Sequence, residues 1–271
     1  MWRRIASPHN PRVKAVQKLL ERSGRSQAHA TVAQGVTEIA RAGDGQFQGD
    51  QLFFCPEWCS RELAEECARR LRVPPSGVFE VTPEVYERLA FGDRRDGILA
   101  VIQTRQLPLA ELEPRGDQLF LVVEGIEKPG NLGAIFRSAD AAGADGIIIA
   151  SGRCDPWGPN VIRASLGTIF TVPFYLVDTA EAVQWVRRAA IRVVAAEPEA
   201  TALFWDVDLS PPVAIVLGAE HEGLTEVWRT VATTSARIPM LGRADSLNVS
   251  VAAALFLYEA VRQKLASGKC R

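Results

Sequence analysis

IPMLGRADSLNVSVAAALFLYEA, residues 238–260, lays out a strand end, a loop and a helix in close succession. Ala236-Arg237-Ile238 reads as the end of a strand, and Pro239 stops it because proline cannot donate to a ladder. Met240 to Ser246 is then a loop carrying Gly242 and Asp245. An apolar segment follows from Leu247 to Val261, with its polar residues crowded at the start. Asn248 and Ser250 are poor choices for an ordinary core helix, since each brings polar groups that need partners. The pattern predicts a helix capped by Ser246 that buries Val249, Val251, Ala252, Leu255, Leu257 and Ala260. Polar side chains turned back on a loop make a pocket; a buried terminal helix with a polar cap also has this pattern.

Upstream, apolar strands alternate with helices. Strands are expected at Leu119–Val123, Gly146–Ala150, Phe174–Val177, Arg192–Ala196 and Val213–Leu217. Helices are expected at Asn131–Ala142, within Pro159–Ile169, at Glu181–Ala190 and at Leu224–Arg229. Strands that are apolar throughout and separated by helices predict an α/β fold with a mostly parallel sheet covered on both faces. Ligands of such sheets bind beyond the carboxyl ends of the strands.

Two further post-strand loops carry chemistry. In the run from Glu124 to Gly133, three glycines permit close backbone approach, and Asn131 can cap the helix whose free amides suit an anion. Arg137 falls in the body of that helix, and the glycine spacing is not that of a dinucleotide fingerprint. A tight turn followed by a surface arginine fits the same residues. In Gly218-Ala219-Glu220-His221-Glu222-Gly223, two carboxylates flank a histidine. They suit acid–base work, although carboxylates at a helix start more often complement its dipole.

Before this region lies a module of shorter elements. Helices are expected at Pro11–Ser23, Thr37–Ala42, Ser60–Leu71 and Pro83–Ala90, and strands at Thr31–Ala33, Gln51–Cys55, near Phe79 and at Ile98–Ile102. The chain thus divides into a domain over 1–105, a proline-bearing linker over 106–117 and a second domain over 118–271. A net charge of −1 over 271 residues offers no global field for a polyanion. Locally, Arg3, Arg4, Arg12, Lys14, Lys18, Arg22 and Arg25 stand against Glu21 alone, an arm suited to phosphate contact or, more commonly, a solvated helix face.

Cys55, Cys59 and Cys67 lie close together without a histidine, Cys154 sits alone and Cys270 is near the tail. An odd number of thiols without zinc spacing predicts reduced structural cysteines and no metal. No apolar core of a secretory signal and no run long enough to span a bilayer is seen, so a cytoplasmic protein without membrane contact is expected.

NLGAIFRSADAAGADG, LGAEHEGL and IPMLGRADSLNVSVAAAL together resemble the three ordered motifs of the SpoU/TrmH family of RNA ribose 2′-O-methyltransferases. SPHNPRVKAVQKLLERSGRS with VAQGVTEIARA is similar to the small ribosomal-protein-like RNA-binding domain that many members place first, although Gln34 stands where glutamate is usual. The resemblance implies a deep trefoil knot in the C-terminal chain, S-adenosylmethionine as cofactor, a homodimer and RNA as substrate; a separate N-terminal domain with a basic arm favours ribosomal RNA over transfer RNA. It implies a cofactor cleft at Gly218, Ala219, Ile238, Met240 and Leu247, and a functional polar set of Asn131, Arg137, Glu220, Ser246 and Asn248. RNA contacts are expected from Arg3, Arg4, Arg12, Lys14 and Lys18. Ala219 replaces the usual asparagine, and His221 stands where glycine is frequent. A non-catalytic RNA-binding protein on the same fold and a nicotinamide-dependent oxidoreductase remain as alternatives.

Overall fold

The computed structural model describes residues 2–92, 95–219 and 222–267; Glu220, His221 and Cys270 therefore lie outside the described residues. The elements run β1 (Arg3–Ile5), α1 (Pro11–Lys18), α2 (Arg22–Ala28), β2 (Ala30–Gln34), α3 (Val36–Asp44), β3 (Gly49–Phe54), α4 (Arg61–Arg70), β4 (Val78–Val81), α5 (Pro83–Leu89) and β5 (Ile98–Gln103). They continue β6 (Leu119–Glu124), α6 (Pro129–Ala142), β7 (Gly146–Ala150), α7 (Pro159–Ala164), β8 (Phe174–Val177), α8 (Thr179–Ala189) and β9 (Arg192–Ala196). The last are β10 (Ala202–Leu203), β11 (Val213–Leu217), α9 (Glu226–Val231), β12 (Thr234–Arg237) and α10 (Val249–Ala266). Two compact units result: residues 1–105 with 155–171, and residues 106–154 with 172–271.

The first unit holds a mixed sheet in the order β1-β4-β3-β5-β2, with β2–β5 and β3–β5 antiparallel and the other pairs parallel. Helices α1 and α5 cover one face through Val13, Val16, Val85, Tyr86 and Leu89, packed on Phe53, Phe79 and Leu99. Residues 155–171 are tied into this unit by Arg25, which is buried and gives two hydrogen bonds to Asp155 Oδ2 at 2.9 and 2.6 Å. The same guanidinium donates to the Leu19 carbonyl at 2.8 Å, closing the break between α1 and α2 where one helix was expected. Cys55, Cys59 and Cys67 are buried free thiols. Burial, with a hydrogen bond to Glu57, pushes Cys55 up to about 12, and burial pushes Cys67 up to about 11.

The second unit is a parallel sheet in the order β10-β12-β9-β11-β6-β7-β8. Its strands are apolar because both faces are covered. Phe120, Val122, Ile148, Val193, Ala214 and Val216 meet α8 and α9 through Val183, Trp185, Val186 and Trp228. Helices α6 and α10 pack on each other, α6 touching β7 and α10 touching β11. The proline-bearing stretch after β5 is laid along α8: Leu109 is buried beside Trp185, whose Nε1 donates to the Leu112 carbonyl at 2.9 Å.

Two expectations about helix starts are overturned. Helix α10 is capped by Asn248, whose Oδ1 accepts from the Ser250 amide at 3.0 Å, and not by Ser246. Its buried face is accordingly Val249, Ala253, Phe256, Leu257 and Ala260, set by the packing on α6 and β11. Val251 and Leu255, expected inside, are 47% and 37% exposed. Helix α6 begins at Pro129, with Lys128 at the cap position, so Asn131 lies in its first turn and does not cap it. Proline suits that place because its missing amide has no helical partner to lose.

Candidate functional site

A cavity of about 390 Å³ lies at the carboxyl ends of β9, β11 and β12, roofed by the start of α10. This is where a parallel sheet presents its loops to a ligand. Leu217, Ala236, Val249, Ala252 and Phe256 give it an apolar floor. Two loops form its walls. The first leaves β11 at Gly218 and returns at Gly223, where Ala219 and Gly223 form a backbone bridge with the Gly223 amide donating to the Ala219 carbonyl at 3.0 Å. Gly223 has φ +68°, and a Cβ on Gly218 would collide with the backbone of Gly223 and Leu224. The turn therefore requires glycine at both places. The second loop follows β12 and contributes Ile238, Met240, Asp245, Ser246 and Leu247.

The five residues expected in the cofactor cleft, Gly218, Ala219, Ile238, Met240 and Leu247, all line this one cavity, together with Ser246. Asn131, Arg137 and Asn248 are not among its lining residues. Asn131 and Asn248 meet each other, Asn248 Nδ2 donating to Asn131 Oδ1 at 3.1 Å, which brings the starts of α6 and α10 together. Arg137 is exposed on α6, and among the described residues none pairs with its guanidinium. Glu220 lies outside the described residues.

The residues 197–199 after β9 also line the cavity and were missed by sequence reading, as were Arg237 and Asp245; Glu222, expected as one of two carboxylates suited to acid–base work, lines it too. The position of Glu197 at a parallel strand's carboxyl end was the available signal. Glu197 accepts from Arg229 Nε at 2.6 Å, and this raises the Arg229 guanidinium above its ordinary value. Glu222 pairs with Arg153 at 3.3 Å, and Arg153 also pairs with Glu127, so the loops after β6, β7 and β11 share one ionic link. Glu127, with Glu222 nearby, raises the Arg153 guanidinium. In the first unit Arg3, Arg4, Arg12, Lys14 and Lys18 are all exposed, and the Arg12 guanidinium lies over the Phe79 ring at 4.8 Å from its centroid.

Residues 118–258 match the SpoU rRNA Methylase family, and residues 10–100 match an MRM3-like substrate binding domain. A 23S rRNA (uridine(2479)-2′-O)-methyltransferase of Streptomyces viridochromogenes is 33% identical over 273 residues, covering 97% of this chain and 93% of that one. A solved RNA 2′-O ribose methyltransferase is 41% identical at TM-score 0.85, covering 97% of this chain and 99% of its own. An rRNA methyltransferase from Sinorhizobium meliloti, solved with S-adenosylmethionine bound, is 29% identical at TM-score 0.89, covering 96% and 98%.

The cavity fits that cofactor. Its volume suits a small-molecule site, its floor is apolar, and a close-packed glycine turn forms one wall. Among the described residues no helix is long and apolar enough to cross a membrane, and no cluster of three metal-ligating side chains is present. With its cavity built by motif loops after β11 and β12 and its motif helix α6 held against α10, this chain belongs to the SpoU family of RNA methyltransferases and uses S-adenosylmethionine.

Proposed function

We propose that the protein transfers a methyl group from S-adenosylmethionine to a ribose 2′-hydroxyl of RNA, and that the RNA is ribosomal. The observation that carries this reading is the meeting of three separated segments: loops 218–223 and 238–247 wall one cavity, and Asn131 of α6 is hydrogen-bonded to Asn248 at the start of α10. The names of the relatives favour ribosomal over transfer RNA.

Gly218, Ala219, Ile238, Met240 and Leu247 would hold the cofactor, whose sulfonium supplies an activated methyl. A guanidinium is a cation that offers donors and no acceptor, so Arg137 steadies negative charge on the ribose oxygen and does not act as a base. The hydroxyl proton passes to solvent or to an RNA phosphate. Asn131 and Asn248 position the substrate, and Ser246 and Glu220 shape the loops. Residues 1–105 form the RNA-binding domain, with Arg3, Arg4, Arg12, Lys14 and Lys18 on phosphates, and 106–117 link it to the knotted domain 118–271. A deep trefoil knot in this domain would hold loops 218–223 and 238–247 against one cavity. The setting is the cytoplasm.

A homodimer completes the site. Val251, Leu255, Tyr258 and Leu265, spaced at helical intervals along α10, are 47%, 37%, 51% and 58% exposed, an apolar stripe of the kind that marks an interface. A second copy over this stripe would bring another Arg137 to the cavity, which fits its absence from the lining of a single chain.

Arg137→Ala tests the mechanism. Transfer of radiolabelled methyl to ribosomal RNA should fall by about 100-fold or more, the usual loss for one electrostatic donor, with calorimetric affinity for S-adenosylmethionine unchanged. Near-wild-type turnover would reject the assignment. Mapping 2′-O-methyl positions in RNA from cells with and without the gene identifies the nucleotide.

A further inference from the structure

We propose that Glu124 is a positioning residue for the cofactor loop, acting through Thr225; this rests on the reading of the cavity as the S-adenosylmethionine site. Glu124 ends β6, an otherwise apolar strand, and is buried at 5% exposure. A carboxylate placed there is costly unless its oxygens are satisfied. They are satisfied by two threonines from distant elements. Oε2 accepts from the Thr225 amide at 2.8 Å. Oε1 accepts from the Thr225 hydroxyl at 2.9 Å and the Thr179 hydroxyl at 2.7 Å. Thr179 in turn meets Ser151, so the exits of β6, β7, β8 and β11 are joined at one carboxylate.

The Thr225 side is the one that bears on the cavity. Thr225 occupies the cap position of α9, yet its side chain makes no capping bond, its hydroxyl being given to Glu124 instead. A threonine there ordinarily satisfies the helix's own amides. The local preference is given up to fix the residue that follows directly on the loop from Gly218 to Leu224. Gly125, next to Glu124, has φ +66°, and a Cβ on it would lie 3.3 Å from the Ala219 Cβ, so the two loop exits are in close approach. Glu124 therefore fixes the far end of the glycine turn, Thr225, through two hydrogen bonds, while the near end leaves β11 directly after Leu217, which is paired with Val123. Thr179 shares the same oxygen but leads away into α8, which contributes no residue to the cavity.

That asymmetry supplies the experiment, read as the affinity of the full-length protein for S-adenosylmethionine by calorimetry. Thr225→Val and Thr179→Val each remove one hydroxyl from Glu124 Oε1, so a role confined to holding the sheet together predicts equal effects. A positioning role predicts that T225V weakens binding about tenfold, the factor for one hydrogen bond to a charged group, while T179V binds as wild type even if its Tm falls. Glu124→Ala should weaken binding more than T225V, and Glu124→Gln, whose amide oxygen still accepts from the Thr225 amide, should restore most of it. Equal weakening by the two valine variants, or wild-type affinity in T225V, overturns the proposal. If Glu124→Ala does not fold, the threonine pair still decides. Failure of the wild-type protein to bind the cofactor would instead overturn the reading of the cavity itself.

Discussion

Gly218→Ala is the smallest change that should disable the cavity. A Cβ at this position would lie under 3.0 Å from the carbonyl carbon and oxygen of Gly223 and the amide of Leu224, where ordinary contact begins at 3.4 Å. All three are backbone atoms, so no side-chain rotation relieves the clash. The strand side cannot yield either, because Leu217 is paired with Val123 on one neighbour and Ala196 on the other. The returning chain at Gly223 must move, and Gly223 lines the cavity. Overpacking of this kind costs about 1–3 kcal/mol. If that cost falls on the ligand-competent loop, affinity for S-adenosylmethionine drops about tenfold to a hundredfold, since each 1.4 kcal/mol is about a factor of ten. Gly130→Ala is the control: it lies in α6 with nothing within 4 Å of its added Cβ. Calorimetric titration of both variants is the assay. A folded Gly218→Ala protein binding within about twofold of wild type, the scatter of ordinary surface changes, would refute the reasoning.

Other substitutions probe the remaining parts. Asn248→Ala removes the cap of α10 and should cost about 1 kcal/mol, lowering Tm by about 2–4 °C in a scanning measurement, whereas Asn131→Ala leaves that cap and should lower it less. Asp155→Ala strands the buried Arg25 guanidinium in the first unit and should cost about 3–5 kcal/mol in urea unfolding; a cost below about 1 kcal/mol would mean the pair is not buried as described. Replacing both partners, Arg25→Met with Asp155→Leu, should cost less than the sum of the single changes. Because Cys55 and Cys67 are pushed up to about 12 and about 11, their thiols stay protonated below those values in the folded protein. Iodoacetamide at about pH 8, followed by peptide mass mapping, should leave both unmodified until denaturant is added, since only the thiolate reacts.

Much of the parallel sheet was legible in the chain. Gly146–Ala150, Phe174–Val177, Arg192–Ala196 and Val213–Leu217 were read as strands over the spans they occupy, because strands covered on both faces must be apolar along their length. Gly218, Ala219, Ile238, Met240 and Leu247 were singled out by motif resemblance, and one cavity gathers them all. Strand order was not legible: β9 lies between β12 and β11, and β11 lies beside β6. Each strand carries the same apolar signature, so the choice of neighbour rests on connections that no single segment records. The face α10 buries was misread for a related reason. A helix so apolar has little to mark one side, and its packing on α6 and β11 decides that Phe256 is inside and Leu255 partly outside. Likewise a glutamate at the end of an apolar strand looks like a strand terminator, and its partners stand 55 and 101 residues away. Which segments become strands, helices and glycine turns is written in the chain, because that depends on local burial and backbone freedom. Which strands stand side by side, and which oxygen each threonine serves, came only with the folded chain, because those contacts exist only once distant strands have paired.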